Sequence, residues 1–564
     1  GEVFSGDRKR LRLDTHFPTQ VKDFVAAYVA NMGDDARVDA TSRCLIISDS
    51  DAWEAAIALH EAHILVADFS LACSSFEACV LFEKAHRAGH AIIFAGLPGG
   101  RQQSYRVTMP NPKGYQIQQA LEEAGYEEER ARVLSKKSGG NLGSLLRCLQ
   151  DLPVIPEWVQ RADANELAIA TLLGAWSEHS EADRIVVETL SANSYKEWIR
   201  KMREISLQSG TPLIQRDGDW RIISRYEAWY ALGPRLFDEH LDCFKETVVS
   251  VLSERDPQFE LPPDDRFVAY IHGKVLAHSR LLRNGLAECL ALLGSNRQAL
   301  SSCSLGKAET TAILAVREIL ANADWEVWAS LNELLPLLAE AAPNEFLKAV
   351  DGTLNSSPCP FDALFQQETT GIVGRDYMTG LLWALETLAW DSDYLTRVVV
   401  ALGELAARDP GGSSANRPSA SLSSILLPCM AQTCAPIGKR DAAVMTLFRQ
   451  LPDVAWRTVL DLLTSRHQIL WGSRRPTWRE MIPDDWPRGA AEEEYREQVN
   501  TYAELALTAA KGDVQRTVEL VRRLHDLPRS ARNQLLDYLR CQAVVSASEK
   551  DRFVLWNELV SLVI

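Results

Sequence analysis

The chain has 564 residues, 46% of them hydrophobic and 24% charged, and 60 basic against 76 acidic residues give a formal charge of −16. This composition excludes a disordered chain and a disulfide mini-protein, and the length corresponds to about three to five folding units. So acidic a surface excludes a protein that grips nucleic acid over its whole face, although it leaves room for a local basic patch.

Residues 1–112 alternate helical and apolar extended patterns. The periodicity predicts a helix over Gln20–Asn31, a strand at Cys44–Ser48, a helix over Ala52–His60, a strand at Ile64–Asp68, a helix over Phe76–Ala88 and a strand at Ala91–Ala95. Short all-apolar strands joined by helices imply a buried parallel sheet. Three strands are too few for a free-standing sheet domain, so the missing ones are expected before residue 1.

Residues 113–160 carry three helical patterns, Tyr115–Ala124, Glu127–Lys136 and Leu142–Leu149. Residues 161–235 follow with helices at Asn165–Trp176, Glu181–Leu190 and Tyr195–Gln208. Strands Pro212–Gln215 and Trp220–Ser224 flank Asp217-Gly218, a strong hairpin signal, before a helix at Arg225–Leu232. Three helices and a hairpin read as a winged helix with the hairpin as its wing.

Residues 236–564 read as one amphipathic helix after another. Helix–proline–helix turns centre on Pro343, Pro452 and Pro528, where a proline at a helix start lacks only an N–H that would have no helical partner. Their uneven spacing predicts an irregular α-solenoid rather than a strict repeat. The expected fold is therefore mainly α: a partial parallel α/β region, a helical lid, a winged helix and a solenoid.

Eleven cysteines without a CxxC pair suit free thiols in a reducing, cytoplasmic setting. The longest uncharged stretch, Pro418–Gly438, is broken by serines and prolines and makes a poor membrane span. The chain begins on Gly1 and ends on an uncapped helical stretch, so we expect it to be a piece of something longer.

Candidate chemistry sits at strand ends and turns. Asp68 closes the strand Ile64–Asp68, where a carboxylate at the sheet's carboxyl edge can hold Mg²⁺ against phosphates, but Phe69 follows it and no G-x-x-x-x-G-K-[ST] loop occurs. Arg101, after the loop Gly96–Gly100, is placed to meet a phosphate; a plain flexible turn is the alternative. His60/His63 and His86/His90 lack a third ligand for a metal. Ser138-Gly139-Gly140-Asn141 ends one helix and caps the next.

With that turn in view, the order sheet, lid, winged helix and helical array resembles the STAND class of signalling NTPases, the NACHT and NB-ARC groups, of the bacterial anti-phage type. There a Gly-Asn-Pro-Leu-like turn sits on the nucleotide base. Here Gly140-Asn141-Leu142 is similar, with Leu142 in place of the proline, and Arg147 stands where a lid arginine would reach back to phosphate. The resemblance implies the sensor and switch portion of a defence ATPase relaying a foreign trigger to an effector domain. ATP and Mg²⁺ are then expected only in a longer parent, and none for this chain alone. A homo-oligomer on activation is compatible with it. Two other readings stay open: a helical-repeat scaffold without nucleotide chemistry, and a winged-helix DNA-binding regulator.

The loop Arg466–Arg479 places Arg466, Trp471, Arg474, Arg475, Trp478 and Arg479 together with no acid among them. Basic and aromatic residues interleaved in a loop suit contact with a protein or nucleic-acid trigger on the solenoid. A solvated connector is the alternative. A second long loop, Gly371–Gly380, carries Arg375, Asp376 and Tyr377 and is another place for a ligand.

Overall fold

The computed structural model describes all residues except 1, 16–19, 69–74, 97–105, 110–111, 151–154, 207, 209–210, 368–375, 413–414, 464–472, 487–488, 542–543, 545–547 and 562–564. The chain is mainly helical, with a small five-stranded parallel sheet. It divides into two compact units, Gly1–Phe237 with Ala299–Cys303, and Asp238–Gln298 with Ser304–Ile564.

The first unit begins with β1 (Arg10–Asp14), α1 (Gln20–Ala30), α2 (Asp34–Arg43), β2 (Cys44–Ile47), α3 (Ser50–Ile57), β3 (Ile64–Ala67), α4 (Ser75–Arg87), β4 (Ala91–Gly96) and β5 (Arg106–Thr108). The strands lie in the order β2-β3-β4-β1-β5, every neighbouring pair parallel. Val21 and Val25 of α1 cover one face with Leu13, Val66 and Ile93, while Trp53 of α3 and Phe82 and Ala85 of α4 cover the other with Ile47, Leu65 and Ile92. Burial on both faces is why β3 and β4 read as unbroken apolar runs.

The sequence reading expected three strands and placed the rest before residue 1. The sheet instead takes two further strands, β1 and β5, from within the chain. In β1 the alternation of leucine with arginine resembles an exposed segment, yet Arg10 is paired with Glu83 of α4 and Arg12 with Asp14, so charges at this sheet position are neutralised by neighbours. Strand β5 is only three residues long, too short for any periodicity.

Next come α5 (Gly114–Glu123), α6 (Glu128–Ser138) and α7 (Leu142–Cys148), which pack around Ile117, Leu121, Ala131, Leu134 and Leu145. They are followed by α8 (Ala164–Leu173), β6 (Ala175–Ser177), α9 (Glu181–Ser191), α10 (Tyr195–Ser206), β7 (Leu213–Arg216), β8 (Asp219–Ile222) and α11 (Arg225–Leu232). Asp217 and Gly218 turn the β7–β8 hairpin with φ of 51° and 85°, the two positive values that suit the twist of a tight hairpin. Trp176, expected at the end of a helix, lies in β6 opposite Trp220 of β8, their rings stacked at 5.7 Å and 3°. Gly174, with φ of 73°, has already ended α8.

The second unit runs through α12 (Asp238–Leu252), α13 (Arg280–Ser295), α14 (Lys307–Ile319), α15 (Trp325–Ser330), α16 (Leu335–Ala341), α17 (Pro343–Leu354) and α18 (Pro360–Phe365). It continues with α19 (Thr379–Ala389), α20 (Leu395–Arg408), α21 (Pro418–Leu426), α22 (Ile437–Gln450), α23 (Pro452–Leu463), α24 (Glu492–Ala510), α25 (Val514–Arg522), α26 (Arg529–Leu539) and α27 (Glu549–Ser561). Helices α13, α16 and α19 are successive neighbours in one row, and α12, α14, α17, α20 and α22 in another. Pro343 and Pro452 are the first residues of α17 and α23, as the missing N–H predicts. Among the described residues no helix is long and apolar enough to cross a membrane.

Candidate functional site

Open parallel sheets bind ligands outside the carboxyl ends of their strands, where successive connections diverge to opposite faces. Here β1 leads to α1 on one face and β3 leads to α4 on the other, so the connections diverge at the carboxyl edge around β1, β4 and β3.

Among the described residues, charges of the chain itself meet at that edge. Asp14, at the end of β1, is 3% exposed. Its Oδ2 accepts from Arg106 Nε and Nη2 at 3.0 and 2.6 Å, and its Oδ1 accepts from Arg12 Nε at 2.6 Å. Asp68, just after β3, accepts from Lys22 Nζ at 2.7 Å. Beside this pair, burial raises the carboxyl of Asp23, opposed by the Lys22 ammonium and reinforced by the charge of Asp68. None of these partners was singled out in the sequence. The only signal was an acid closing each of two strands, with Lys22 in the first turn of the helix after β1.

The sequence at this edge lacks the phosphate loop of a Mg²⁺-nucleotide site. The connection from β1 to α1, Thr15-His16-Phe17-Pro18-Thr19, has neither glycine nor lysine. The strand-end carboxylate that would face the metal is bound to an ammonium instead. Among the described residues no group of three or more His, Cys, Asp or Glu side chains could hold a metal ion. His90, fully buried, accepts the His63 N–H at Nδ1 (3.1 Å) and places Nε2 at 3.3 Å from the Ile57 carbonyl, a packing role for that histidine. Arg101 lies outside the described residues.

The candidate residues around α6 and α7 are placed by contacts of their own. Asn141 is buried, and its Oδ1 accepts the Ser144 N–H at 3.3 Å, capping α7. Gly140 precedes it at φ 82°. Arg147 donates from Nε and Nη2 to the two carboxylate oxygens of Glu227 on α11, at 2.5 and 2.9 Å. Gly139, at φ 59°, sits so close to the hairpin that an added Cβ would lie 1.9 Å from the Ile223 carbonyl oxygen. Ser224 Oγ donates to the Ser138 carbonyl at 3.2 Å, and the Lys137 ammonium lies 4.4 Å from the Tyr226 ring centre. Of the residues read as nucleotide contacts, Arg147 thus ties α7 to α11, while Gly139, Ser138 and Lys137 bring the end of α6 against the same three-stranded unit.

In the array, the described part of the basic loop is packed onto helix ends. Arg466 and Trp471 lie outside the described residues. The part from 473 onward runs over the C-terminal ends of α19, α16 and α13. The Arg474 N–H donates to Glu386 at 2.9 Å, and the N–H groups of Thr477, Trp478 and Arg479 all donate to the carboxylate of Glu340, at 2.8, 2.6 and 2.9 Å. Glu340 is 1% exposed. Arg479 also donates through Nη2 to the Gly294 and Ala341 carbonyls at 2.9 and 3.4 Å, covering the ends of two helices where negative dipole ends favour a cation. Arg475 stacks over Trp390, whose Nε1 donates to the Arg474 carbonyl at 3.1 Å. Arg479 and Trp478 are therefore committed to the fold, because buried helix-end carbonyls and a buried carboxylate need donors. Arg474 remains exposed, its guanidinium 5.4 Å from the centre of the Trp383 ring.

No protein-family model and no curated protein matches the chain. An engineered protein of known crystal structure is similar at 14% identity over 71% of this chain and 98% of its own, with a TM-score of 0.19, too low to carry an argument.

Proposed function

We propose that this chain is the switch and sensor portion of a STAND-like signalling protein of anti-phage defence, working in the cytoplasm. In this reading α5–α7 are the lid, α8–α11 with β6–β8 a winged helix, and the second unit a solenoid that recognises a foreign macromolecule. The observation that carries the reading is the clasp between lid and winged helix, with Arg147 on Glu227 and Gly139 against Ile223. A relay needs a contact that two states can make and break, and an ion pair reached through a close backbone approach is such a contact. Among the described residues of the basic loop, exposed Arg474, beside Trp383 of α19, is the one that supports a contact with a trigger. In the test, cells producing the protein are challenged with a panel of phages. The reading expects reduced plating of at least one phage and restored plating with Arg147→Glu. Unchanged plating across the panel removes the defence role.

One observation favours the second reading, a helical scaffold without nucleotide chemistry. The sheet's carboxyl edge already holds its own counter-charges, Lys22 on Asp68 and Arg106 on Asp14. The DNA-binding reading gains less support, since Lys201 and Arg203 of α10 are paired with Glu166 and Glu178. Crosslinked partners from producing cells separate the two, as a scaffold yields host proteins in the absence of phage.

A further inference from the structure

The second unit holds a cavity of about 750 Å³ between the α12–α13 connection, the start of α13, the α15–α16 corner and Asp376–Tyr377. That volume lies in the range of sites for small ligands and single peptide side chains. Five of the side chains lining it are basic, and four of these meet an acid: Arg280 with Glu333, Lys274 with Glu260, and His278 and Arg283 with Glu254.

Arg266 differs. It is 7% exposed, and no carboxylate among the described residues lies within ion-pairing distance of it. Its Nε donates to the Leu261 carbonyl at 3.2 Å, and its guanidinium lies over the rings of Phe259 and Trp325 at 5.1 and 5.7 Å. Its Nη1 is buried with no hydrogen-bond partner. Aromatic faces offset part of the cost of a buried cation, but they do not replace a counter-ion. Around the same cavity Phe267, Tyr270 and Val275 are 56%, 70% and 55% exposed, an apolar rim in a part of the chain rich in charge.

We propose that this cavity binds a ligand with one anionic group and an apolar body, the anion supplying the counter-charge of Arg266 and the body covering Phe267, Tyr270 and Val275. A polyanion fits poorly, because the other cations are already neutralised by acids and the chain as a whole is at −16. A carboxylate on an apolar residue has the required chemistry, either as the C-terminus of a peptide or as a free small acid. The assignment is independent of the signalling role, since binding is read on the purified chain.

The experiment is calorimetric titration of the purified full chain with three probes: N-acetyl-phenylalanine, its C-terminal amide, and acetyl-Gly-Ala-Phe with a free carboxylate. The two acids are expected to bind at least about tenfold more tightly than the amide, and Arg266→Met to remove that preference, since a buried charge-assisted pair discriminates strongly. Tighter binding of the tripeptide than of the single residue assigns the site to a peptide end, and equal or weaker binding assigns it to a free acid. Tyr270→Ser, on the exposed rim, keeps the test open if Arg266→Met does not fold, and is expected to weaken both acids. Equal affinity for acid and amide, no heat from any probe at millimolar concentration, or unchanged binding in both variants overturns the proposal.

Discussion

Glu340 and Arg479 hold each other at two points: the Glu340 carboxylate accepts the Arg479 N–H at 2.9 Å, and Arg479 Nε donates back to the Glu340 carbonyl at 2.5 Å. The residues are 139 positions apart, so a segment that leaves α23 is fastened to the end of a helix much earlier in the array. Removing the carboxylate strands three main-chain donors in a buried place. Glu340→Ala is expected to destabilise the second unit by about 3 kcal/mol or more. Chemical denaturation checks this, and a midpoint equal to wild type would mean that the loop does not brace the array.

Arg147 and Glu227 are expected to be coupled by about 1 kcal/mol in a double-mutant cycle of Arg147→Ala and Glu227→Ala, as for a well-aligned, partly buried pair. Amide exchange over residues 128–148 should quicken in either single variant. Additive effects of the two substitutions would show that α7 is held by packing alone.

Mg²⁺-ATP at millimolar concentration is expected to shift the melting temperature by less than about 1 °C, because a ligand stabilises only through binding the folded state. Purified chain should show no ATP turnover. Turnover that disappears in Asp68→Ala would contradict both the Lys22–Asp68 pairing and the missing phosphate loop.

Gly218→Val is expected to cost about 1 kcal/mol or more, since φ of 85° strains any side chain and the β-branch worsens it. An added Cβ would also lie 2.1 Å from His179 Nε2, a ring that has to move aside. Thermal melts of the variant and of Gly218→Asn, which tolerates such angles better, separate the conformational cost from the contact.

Burial pushes the Glu386 carboxyl above its ordinary value, opposed by hydrogen bonds from the Ser421 hydroxyl and the Arg474 N–H and by the Arg474 charge. A raised folded-state pKa means that the folded protein holds this proton more tightly than the unfolded chain. The stabilisation is complete below the unfolded pKa and is lost as pH rises through the folded one. The melting temperature of Glu386→Gln relative to wild type should therefore become more favourable as pH rises above the ordinary glutamate value. A difference that is flat with pH would show that the carboxyl titrates normally.

The sequence by itself determined the helix-rich class, the apolar strands β2, β3 and β4, the Asp217-Gly218 hairpin and the prolines that open α17 and α23, because each depends on local periodicity or on the φ of one or two residues. Only the tertiary structure decided what becomes of the charges. Arg12 and Arg106 converge on Asp14 from strands adjacent to each other in space but 94 positions apart in the chain, and Lys22 reaches Asp68 across 46. Arg479 resembled a free cation for a partner because no acid precedes it between Asp461 and Glu480, yet Glu340 and two helix ends supply its partners across the fold. Periodicity reports which face of an element is apolar. It cannot report which distant carboxylate a guanidinium will meet, because that pairing is set by how the elements stack, and in a buried place a charge takes whichever partner the stacking offers.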